Sequence, residues 1–324
     1  MYNFQIIIKS LIYILLIIIH ISNYYKNFTY CLKCFQNNKF YKKCYNCPFN
    51  IIFKGLKVYS EEETLNEIII NNKSISRFGD GEFGLIFGYD IGFQKYNEKL
   101  SKKLLEVLNS NENNLLIGIN IKTNLKEIEK MTDNSKKYYF NWIENNKVNI
   151  VEILNISKKY YSSYISRFYL EYKNKNKISD YIKILKKIWE KKNILIIEGQ
   201  KTRFGVGNNL INNSNSIKRI ICPTLNAFNV YDKIINETIK INKKTLILLA
   251  LGPTATILAY DLNKLGYQVI DLGHIDIEYE WFLRNASKKV KIENKYVNEV
   301  NNGKNIFRKV KNKSYYNQII KIIL

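Results

Sequence analysis

Short apolar runs alternate along the chain with segments whose apolar residues recur every three or four positions. Such runs end in glycine or proline at Gly199, Pro223, Gly252 and Gly273. The periodic segments between them predict helices near residues 228–240 and 254–264. Continuous apolar runs that alternate with helices are typical of a mostly parallel sheet covered by helices on both faces. The pattern therefore predicts an α/β protein.

The first half of this pattern adds further elements. Ser60 and Glu63 have the spacing of a capping box, which predicts that a helix begins there. SISRF and NLLIGIN are predicted strands, and NEKLSKKLLEVL is a predicted amphipathic helix. Residues 135–190 are predicted to be mostly helical. Since no Pro- or Ser-rich linker divides residues 50–300, residues 51–324 are predicted to form one domain.

The N-terminal segment, residues 1–25, contains a mostly apolar stretch, FQIIIKSLIYILLIIIHI, at residues 4–21. It is about long enough to span a bilayer, and Lys9 lies near one end, where its charge can reach the interface. No small-residue cleavage site follows, which favours a retained anchor over a removed signal peptide. Lysines follow the stretch, so the positive-inside rule predicts a cytoplasmic main domain. An apolar helix packed on the domain is the alternative.

Residues 26–50 form a basic segment with two Cys-x-x-Cys pairs, made by Cys31, Cys34, Cys44 and Cys47. Four thiolates can hold a structural zinc ion in tetrahedral geometry. The loop between the pairs is shorter than in the common zinc ribbon. Acylation or disulfide formation therefore remains an alternative fate for these thiols.

The formal net charge of +23 raises the question of a nucleic-acid partner. The basic excess is almost all lysine and accompanies abundant Asn, Ile and Tyr, which indicates coding bias and a solvated surface. We therefore expect no nucleic-acid partner, and an acidic membrane surface is the alternative. Against this background arginine is rare, and three of the six arginines occur as Arg-Phe pairs, at Arg77, Arg167 and Arg203.

The stretch SISRFGDGEFGLIFGYDIGF, residues 74–93, holds five of the fourteen glycines. Asp80 and Glu82 stand one residue apart just after the predicted strand. We expect Gly79 and Gly81 to give this turn unusual backbone angles that bring the two carboxylates to similar sides. A solvated turn without a ligand is the alternative interpretation.

Two carboxylates held this close repel each other unless a cation lies between them. Mn²⁺ or Mg²⁺ suits oxygen ligands and keeps coordination positions open for phosphate oxygens. The sequence therefore predicts a metal held by Asp80 and Glu82. Arg77, three residues earlier, is expected to neutralise the same phosphates.

Two further loops follow predicted strands, and ligands of open α/β sheets bind at the carboxyl ends of strands. LALGPTATILAYDL predicts a strand, a tight turn and a helix whose first free N–H groups form an anion site, at Gly252, Pro253 and Thr254. EGQKTRFGVGNNL matches neither the dinucleotide fingerprint nor the phosphate loop of nucleotide hydrolases. Its candidate donor contacts are Arg203, Gly205, Gly207 and Asn208. A simple connecting turn is the alternative for both loops.

The last cluster, GHIDIEYEW, follows a predicted strand and so lies at the same edge. His274, Asp276, Glu278 and Glu280 are its candidate catalytic residues, since an acid or a histidine can act as general base for an acceptor hydroxyl. Trp281 offers an aromatic face for a sugar. Alternatively, the acids belong to a helix start, where its dipole favours negative charge.

Six motifs in consistent order resemble the glycosyltransferases of GT-D fold, bacterial enzymes that extend protein-linked glycans. The motifs are SISRFGDGEF, YISRFY, ILIIEGQKTRFGVGN, RIICPTLNAF, LALGPTATILAYDL and DLGHIDIEYEW. The resemblance spans roughly residues 55–300 and does not reach the N-terminal stretch or the cysteines. Where relatives usually have Asn-Asp at the end of the glycine loop, this chain has Asn208-Asn209.

The resemblance implies a Rossmann-like domain and a UDP-sugar donor carrying glucose or another hexose. It also implies a glycan or glycoprotein acceptor and an acid-x-acid motif, here Asp80 and Glu82, that binds Mn²⁺ or Mg²⁺. One acid of the GHIDIEYEW cluster would deprotonate the acceptor hydroxyl if the reaction inverts. The sequence leaves inversion or retention open, because it gives no carboxylate separations.

Two other function classes remain as alternatives. One is a membrane-tethered module that binds zinc and nucleic acid through the cysteines and the basic surface. The other is a different metal-dependent α/β enzyme acting on phosphorylated substrates. Metal phosphoesterases usually carry several metal-binding histidines, whereas this chain has only His274 outside the apolar stretch. The residues therefore favour a metal-dependent glycosyltransferase.

Overall fold

The structure is a computed structural model that describes residues 53, 55–304 and 312–324. The predicted anchor at residues 4–21 and the four-cysteine segment at residues 26–50 lie outside the described residues. Within the described part of the chain, every helix is too short or too polar to cross a membrane.

The described residues form a nine-stranded sheet whose order is β1-β4-β3-β2-β8-β7-β5-β6-β9. Every neighbouring pair of strands is parallel, which confirms the predicted sheet type. The strands are β1 (Lys57–Val58), β2 (Ser74–Phe78), β3 (Leu115–Ile119), β4 (Lys159–Ser162), β5 (Asn193–Gly199), β6 (Ser216–Cys222), β7 (Leu246–Ala250), β8 (Val269–Asp271) and β9 (Ile319–Ile322).

Helices connect the strands. The α-helices of the described residues are α1 (Glu61–Ile70), α2 (Asp80–Ile86), α3 (Glu98–Asn109), α4 (Leu125–Glu129), α5 (Asp133–Ile153), α6 (Ile178–Lys186), α7 (Tyr231–Thr238), α8 (Pro253–Lys264), α9 (Ile275–Leu283) and α10 (Lys313–Gln318). Short 3₁₀ helices occupy Ser163–Ser166 and Ala227–Val230. Ser60 caps α1 through the predicted capping box with Glu63.

Both faces of the sheet are buried, as the continuous apolar runs predict. Along β5, Ile194 and Ile196 pack in the hydrophobic cluster that also contains residues of α6 and α9. Leu195 and Ile197 point the other way, into the cluster with α7 and α8. Burying such a side chain contributes about 1.5 to 3 kcal/mol. These side chains therefore hold helices against both faces.

The structure differs from the sequence-based expectation at β4, which lies within residues 135–190, a region predicted to be mostly helical. Its residues KYYS alternate, with Tyr160 buried and Tyr161 half-buried, and Gly118 of β3 pairs with Tyr161. Tyrosine suits a pleated, half-buried surface, so pairing with β3 outweighs the local helical pattern.

The order of the strands creates a crevice between β2 and β8. From β2 the chain builds β3 and β4 on one side, and β5 to β8 are built on the other side. Because ligands of open α/β sheets bind where the strand order reverses, this crevice is where the fold positions a site.

Candidate functional site

A cavity of about 670 Å³ opens at the carboxyl edge of the sheet. This volume is in the range of ligand pockets. Residues at or just after the strand ends line it, namely Gly79 after β2, Asn120 after β3, Ser163 after β4, Gly199 at the end of β5, Pro223 after β6, Leu251 and Gly252 after β7, and Gly273 after β8. Tyr138 and Trp142 of α5 close one side. The cavity thus joins the strand ends that the sequence singled out.

Asp80 and Glu82 both line this cavity, but the stretch around them is a helix rather than the expected glycine turn. They occupy the first turn of α2, where Glu82 Oε2 accepts a hydrogen bond from the Gly79 N–H at 2.8 Å. Neither Gly79 nor Gly81 has a positive φ. An added Cβ would lie 3.3 Å from Glu82 Oε2 at Gly79 and 3.3 Å from Ile91 Cδ1 at Gly81. These glycines therefore provide space rather than unusual backbone angles.

The acid pair is a region of concentrated negative charge. Burial, followed by the nearby charges of Asp271 and Asp80, raises the pKa of Glu82 to about 7. Asp80 is exposed and accepts a hydrogen bond from the Tyr138 hydroxyl. Burial and the Asp80 charge raise the pKa of that phenol above its usual value. A cation beside the pair would relieve this excess charge.

The donor atoms present fit a hard divalent ion. Asp80 and Glu82 offer carboxylate oxygens, which Mg²⁺ and Mn²⁺ prefer. The part of the chain that the structure describes contains no group of three or more metal-ligating side chains. A bound ion would therefore take its other ligands from water or substrate, as ions that bind phosphates commonly do.

Arg77 uses most of its hydrogen-bonding capacity inside the protein. Its Nε donates to the Asp271 carbonyl at 2.6 Å and its Nη2 to Asp271 Oδ1 at 3.2 Å. Its Nη1 donates to the Ser163 carbonyl at 3.0 Å and to Ser166 Oγ at 2.6 Å. A Cβ at Gly273, which has a φ of +49°, would overlap the guanidinium. Arg77 lines the cavity and joins β2, β8 and the 3₁₀ helix.

The turn after β7 presents the start of α8 to the cavity. Gly252 has a φ of +56°, and an added Cβ would lie 2.5 Å from Phe93 Cε2. Gly252 and Pro253 line the cavity, and Phe93 lines it beside them. Thr254 is fully buried, and its hydroxyl has no hydrogen-bond partner among the described residues. Of the three predicted donor contacts in this turn, Gly252 and Pro253 therefore face the cavity and Thr254 does not.

The glycine loop braces α9 instead of facing the cavity. None of the loop's predicted donor contacts lines the cavity, namely Arg203, Gly205, Gly207 and Asn208. The Gly205 N–H donates to Asp276 Oδ1 at 2.9 Å, and Asn208 Nδ2 donates to the same atom at 2.8 Å. Arg203 Nη1 donates to the Asn294 carbonyl at 2.8 Å. These bonds make the loop a structural support.

The acids of α9 are likewise engaged by the protein. Asp276 Oδ2 lies 2.7 Å from Lys295 Nζ, and Glu280 Oε1 lies 2.9 Å from the same ammonium. Glu278 is fully buried and accepts hydrogen bonds from the backbone N–H groups of residues 169–170. Of these acids only Asp276 lines the cavity. Glu278 Oε1 has no hydrogen-bond partner among the described residues, but Glu278 does not line the cavity. Asp276 and Glu280 bind internal donors, so these acids stabilise the fold and are poorly placed to act as the general base.

His274 lines the cavity but is not charged near neutral pH. Burial and the Arg167 guanidinium lower its pKa to about 3. Its Nε2 lies 3.5 Å from Glu299 Oε2, a contact that is not an ion pair while the ring is neutral. Its ring packs on Trp281, with centroids 5.3 Å apart. Trp281 is fully buried, so it offers no face to a sugar.

Four side chains that line this part of the cavity are not among the residues predicted from the sequence, namely Tyr138, Glu171, Lys289 and Glu299. Arg167 stands out in the sequence only as part of one of the three Arg-Phe pairs. Arg167 donates to Glu299 through Nη1 at 3.2 Å and Nη2 at 2.7 Å. Although burial raises the pKa of Glu299, the guanidinium lowers it well below its usual range. No motif marks Glu299, because its partner lies 132 positions away.

Comparison with known proteins identifies the family. The family model described as Glycosyltransferase GT-D fold matches residues 75–300. The probable glycosyl transferase Gly of Streptococcus gordonii is 37% identical over 250 residues, which cover 76% of this chain and 36% of that protein. Glycosyltransferase GlyD of Streptococcus pneumoniae serotype 4 is 35% identical over 278 residues, which cover 86% of this chain and 33% of that protein. The chain thus spans about a third of the length of these curated relatives.

Solved structures show the same fold. The domain of unknown function 1792, described as having a distinct glycosyltransferase fold, matches with a TM-score of 0.79 and 36% identity, covering 85% of this chain and 98% of that one. A new glycosyltransferase from Streptococcus sanguinis matches with a TM-score of 0.77 and 34% identity, covering 83% and 100%. These matches confirm the resemblance inferred from the motifs: the chain belongs to the family of glycosyltransferases with the GT-D fold.

Proposed function

We propose that this protein transfers a hexose from a UDP-sugar to a hydroxyl group of a glycan or glycoprotein, with Mn²⁺ or Mg²⁺ bound by Asp80 and Glu82. One observation carries the proposal. Two carboxylates lie one residue apart in the first turn of α2, where both line a cavity of about 670 Å³ at the crevice of the sheet. Family membership supports a sugar as the transferred group.

The residues of the cavity have distinct tasks in this proposal. Asp80 and Glu82 hold the divalent ion, which when bound supplies positive charge to a leaving diphosphate. Gly252 and Pro253 line the cavity at the start of α8, where the positive end of the helix dipole favours phosphate oxygens. Arg77 fixes the strand ends through its bonds to Asp271 and the 3₁₀ helix.

A thermal-shift screen of nucleotide sugars with and without Mn²⁺ tests donor and metal together. A donor present at a hundred times its Kd stabilises the folded protein by about 2.7 kcal/mol. We expect this stabilisation with a UDP-hexose only when Mn²⁺ or Mg²⁺ is present. The variant Asp80→Asn with Glu82→Gln lacks both carboxylates and should lose the metal-dependent shift. An equal shift without metal, or an undiminished shift in this variant, contradicts the proposal.

We also propose that residues 4–21 anchor the protein in a membrane with the catalytic domain in the cytoplasm. The length of the apolar stretch and the lysines after it support this assignment. Leu16→Lys with Ile18→Lys should move the protein from the membrane fraction to the supernatant. Retention of that variant in the membrane fraction would argue against an anchor formed by this stretch.

A further inference from the structure

One wall of the cavity consists of charged and polar side chains that take no part in holding the metal or the diphosphate. Arg167 and Glu171 come after β4 along the chain, His274 comes after β8, and Lys289 and Glu299 come after α9. All five line the cavity. We call these five residues the charged wall.

Glu171 has the freest carboxylate of the charged wall. Its side chain is 15% exposed, and Lys289 Nζ lies 3.9 Å from its Oε1, which is too long for a hydrogen bond. No described residue donates a hydrogen bond to this carboxylate. Glu299, in contrast, is bound by both Nη atoms of Arg167. Glu171 therefore has acceptor capacity left for a ligand.

Two neutral polar atoms of residues that line the same cavity also lack partners. The buried His274 Nε2 and the buried Tyr296 hydroxyl have no hydrogen-bond partner among the described residues, and both residues line the cavity. His274 is neutral near pH 7, because its pKa is lowered to about 3. Buried polar atoms are usually hydrogen-bonded, so a ligand with hydroxyl groups would satisfy atoms that the protein leaves unpaired.

The charges of the wall balance one another. Arg167 and Lys289 carry positive charge, and Glu171 and Glu299 carry negative charge, while the whole chain has a net charge of +23. An anionic ligand at Glu171 would face a carboxylate, and a cationic one would compete with Lys289. A charged ligand would meet a like charge or leave a charge of the wall unpaired, and either would weaken its binding. The balance therefore favours an uncharged ligand.

The charged wall adjoins the acid pair. Arg77, next to the pair in the chain, donates to Ser163 and Ser166 just before Arg167. Tyr138, which donates to Asp80, is close enough to Glu299 and Arg167 for their charges to affect its pKa. A ligand on this wall would therefore lie beside a donor held at Asp80 and Glu82.

We propose that the charged wall is the acceptor subsite, and that it binds an uncharged sugar whose hydroxyl donates a hydrogen bond to Glu171. The inference rests on the proposed function, because the acceptor is its second substrate. It goes further because it places the acceptor at the charged wall and predicts that the acceptor is uncharged.

Glu171→Gln tests the role of the carboxylate by steady-state kinetics with UDP-glucose, Mn²⁺ and p-nitrophenyl β-glucoside. The amide oxygen of the variant can still accept the bond but carries no charge, and this weaker bond should raise the acceptor KM about fivefold to tenfold. The donor KM and the hydrolysis of UDP-glucose without acceptor should stay within about twofold. The exposed Glu129→Gln is the control and should leave all values unchanged. An unchanged acceptor KM in Glu171→Gln overturns the proposal.

Direct binding to the unaltered protein tests the charge preference independently of any variant. Saturation-transfer NMR with UDP and Mn²⁺ present would compare methyl β-glucoside with methyl β-glucuronide. We expect the glucuronide to bind at least about tenfold more weakly. Equal or tighter binding of the glucuronide, or binding of neither sugar, overturns the proposal.

The two proposals fail in different ways. If UDP-glucose and the other nucleotide sugars are neither bound nor hydrolysed with metal, the proposed function is wrong. If donor hydrolysis is intact and Glu171→Gln leaves the acceptor KM unchanged, only the acceptor subsite is wrong.

Discussion

Asp80 and Asp276 both follow strands that end at the cavity, yet their carboxylates have different surroundings. Asp80 is exposed and accepts one hydrogen bond from the Tyr138 hydroxyl. Asp276 is 2% exposed and is bound by Gly205, Asn208 and Lys295. The same residue type at the same edge is therefore open to a ligand in one motif and saturated by the protein in the other.

This difference depends on partners that are distant in sequence. The donors that saturate Asp276 lie 71 and 68 positions before it and 19 positions after it. Glu82 uses a donor only three positions away, the Gly79 N–H, and lines the cavity. The spacing of acids in a motif thus predicts where carboxylates lie, and their partners decide whether they bind a ligand or hold the fold.

The largest effect on stability is expected at Asp276. Asp276→Ala leaves the buried Lys295 ammonium with one carboxylate fewer and removes the acceptor of the Gly205 N–H. Breaking a buried ion pair by removing one partner costs about 3 to 5 kcal/mol. Denaturant unfolding measures the loss, and adding Lys295→Met should restore part of it. A cost below about 1 kcal/mol would show that Asp276 is not a structural residue.

The acid pair should show the opposite behaviour. Asp80→Asn with Glu82→Gln should lower UDP-sugar turnover about a hundredfold to a thousandfold, because the positive charge at the diphosphate is lost. The free energy of unfolding should change by less than about 1 kcal/mol, since the amide oxygen of the substituted side chain can still accept a bond from the Gly79 N–H. Turnover and denaturant unfolding are measured on the same preparation. If this variant retains its turnover, the acid pair does not bind a catalytic metal and does not differ from Asp276 in function.

His274 should make the protein sensitive to mild acid. The folded protein keeps the ring neutral to a pKa of about 3, whereas the unfolded chain takes up a proton near 6.5. Stability is therefore lost as the pH falls through 6.5, by about 2 kcal/mol at a pH of about 5. Unfolding measured at pH values of about 7 and about 5 should show a smaller loss in His274→Gln. An equal loss in both proteins would contradict the neutral assignment.

The effect expected at Gly252 is confined to stability and to one contact. Gly252→Ala places a methyl group 2.5 Å from Phe93 at a φ of +56° and should cost about 1 to 3 kcal/mol. Gly207→Ala is the matched control, since its φ is +82° and an added Cβ meets nothing within 4 Å. The difference in unfolding free energy between these variants isolates the contact with Phe93. An equal loss of unfolding free energy in the two variants would show that the Phe93 ring moves aside without an energetic cost.

Much of the fold can be predicted from sequence because its signals are local. Residues 194–197 are apolar and buried on both faces, as a central parallel strand requires. The sequence does not reveal β4, since KYYS lies between helical segments and is fixed by pairing with β3. The glycines on both sides of Asp80 predict a flexible turn, whereas the bond between Glu82 and the Gly79 N–H caps a helix there.

The candidate site is predictable in outline. The strand ends and the acid pair can be located from motifs that end apolar runs. Glu171, Lys289 and Glu299 cannot, because they reach the cavity from segments without periodicity or motif. Glu278 and Glu280 resemble catalytic acids in the sequence only because their internal partners, such as Lys295 and the N–H of Tyr169, are invisible in the spacing.

Titration of Mn²⁺ in the presence of UDP, followed by the electron paramagnetic resonance of free Mn²⁺, shows whether Asp80 and Glu82 form a metal site. We expect one tight Mn²⁺ site in the unaltered protein, its loss in Asp80→Asn with Glu82→Gln, and its retention in Asp276→Asn. Equal Mn²⁺ affinity in the unaltered protein and in Asp80→Asn with Glu82→Gln would show that these two carboxylates do not bind the metal.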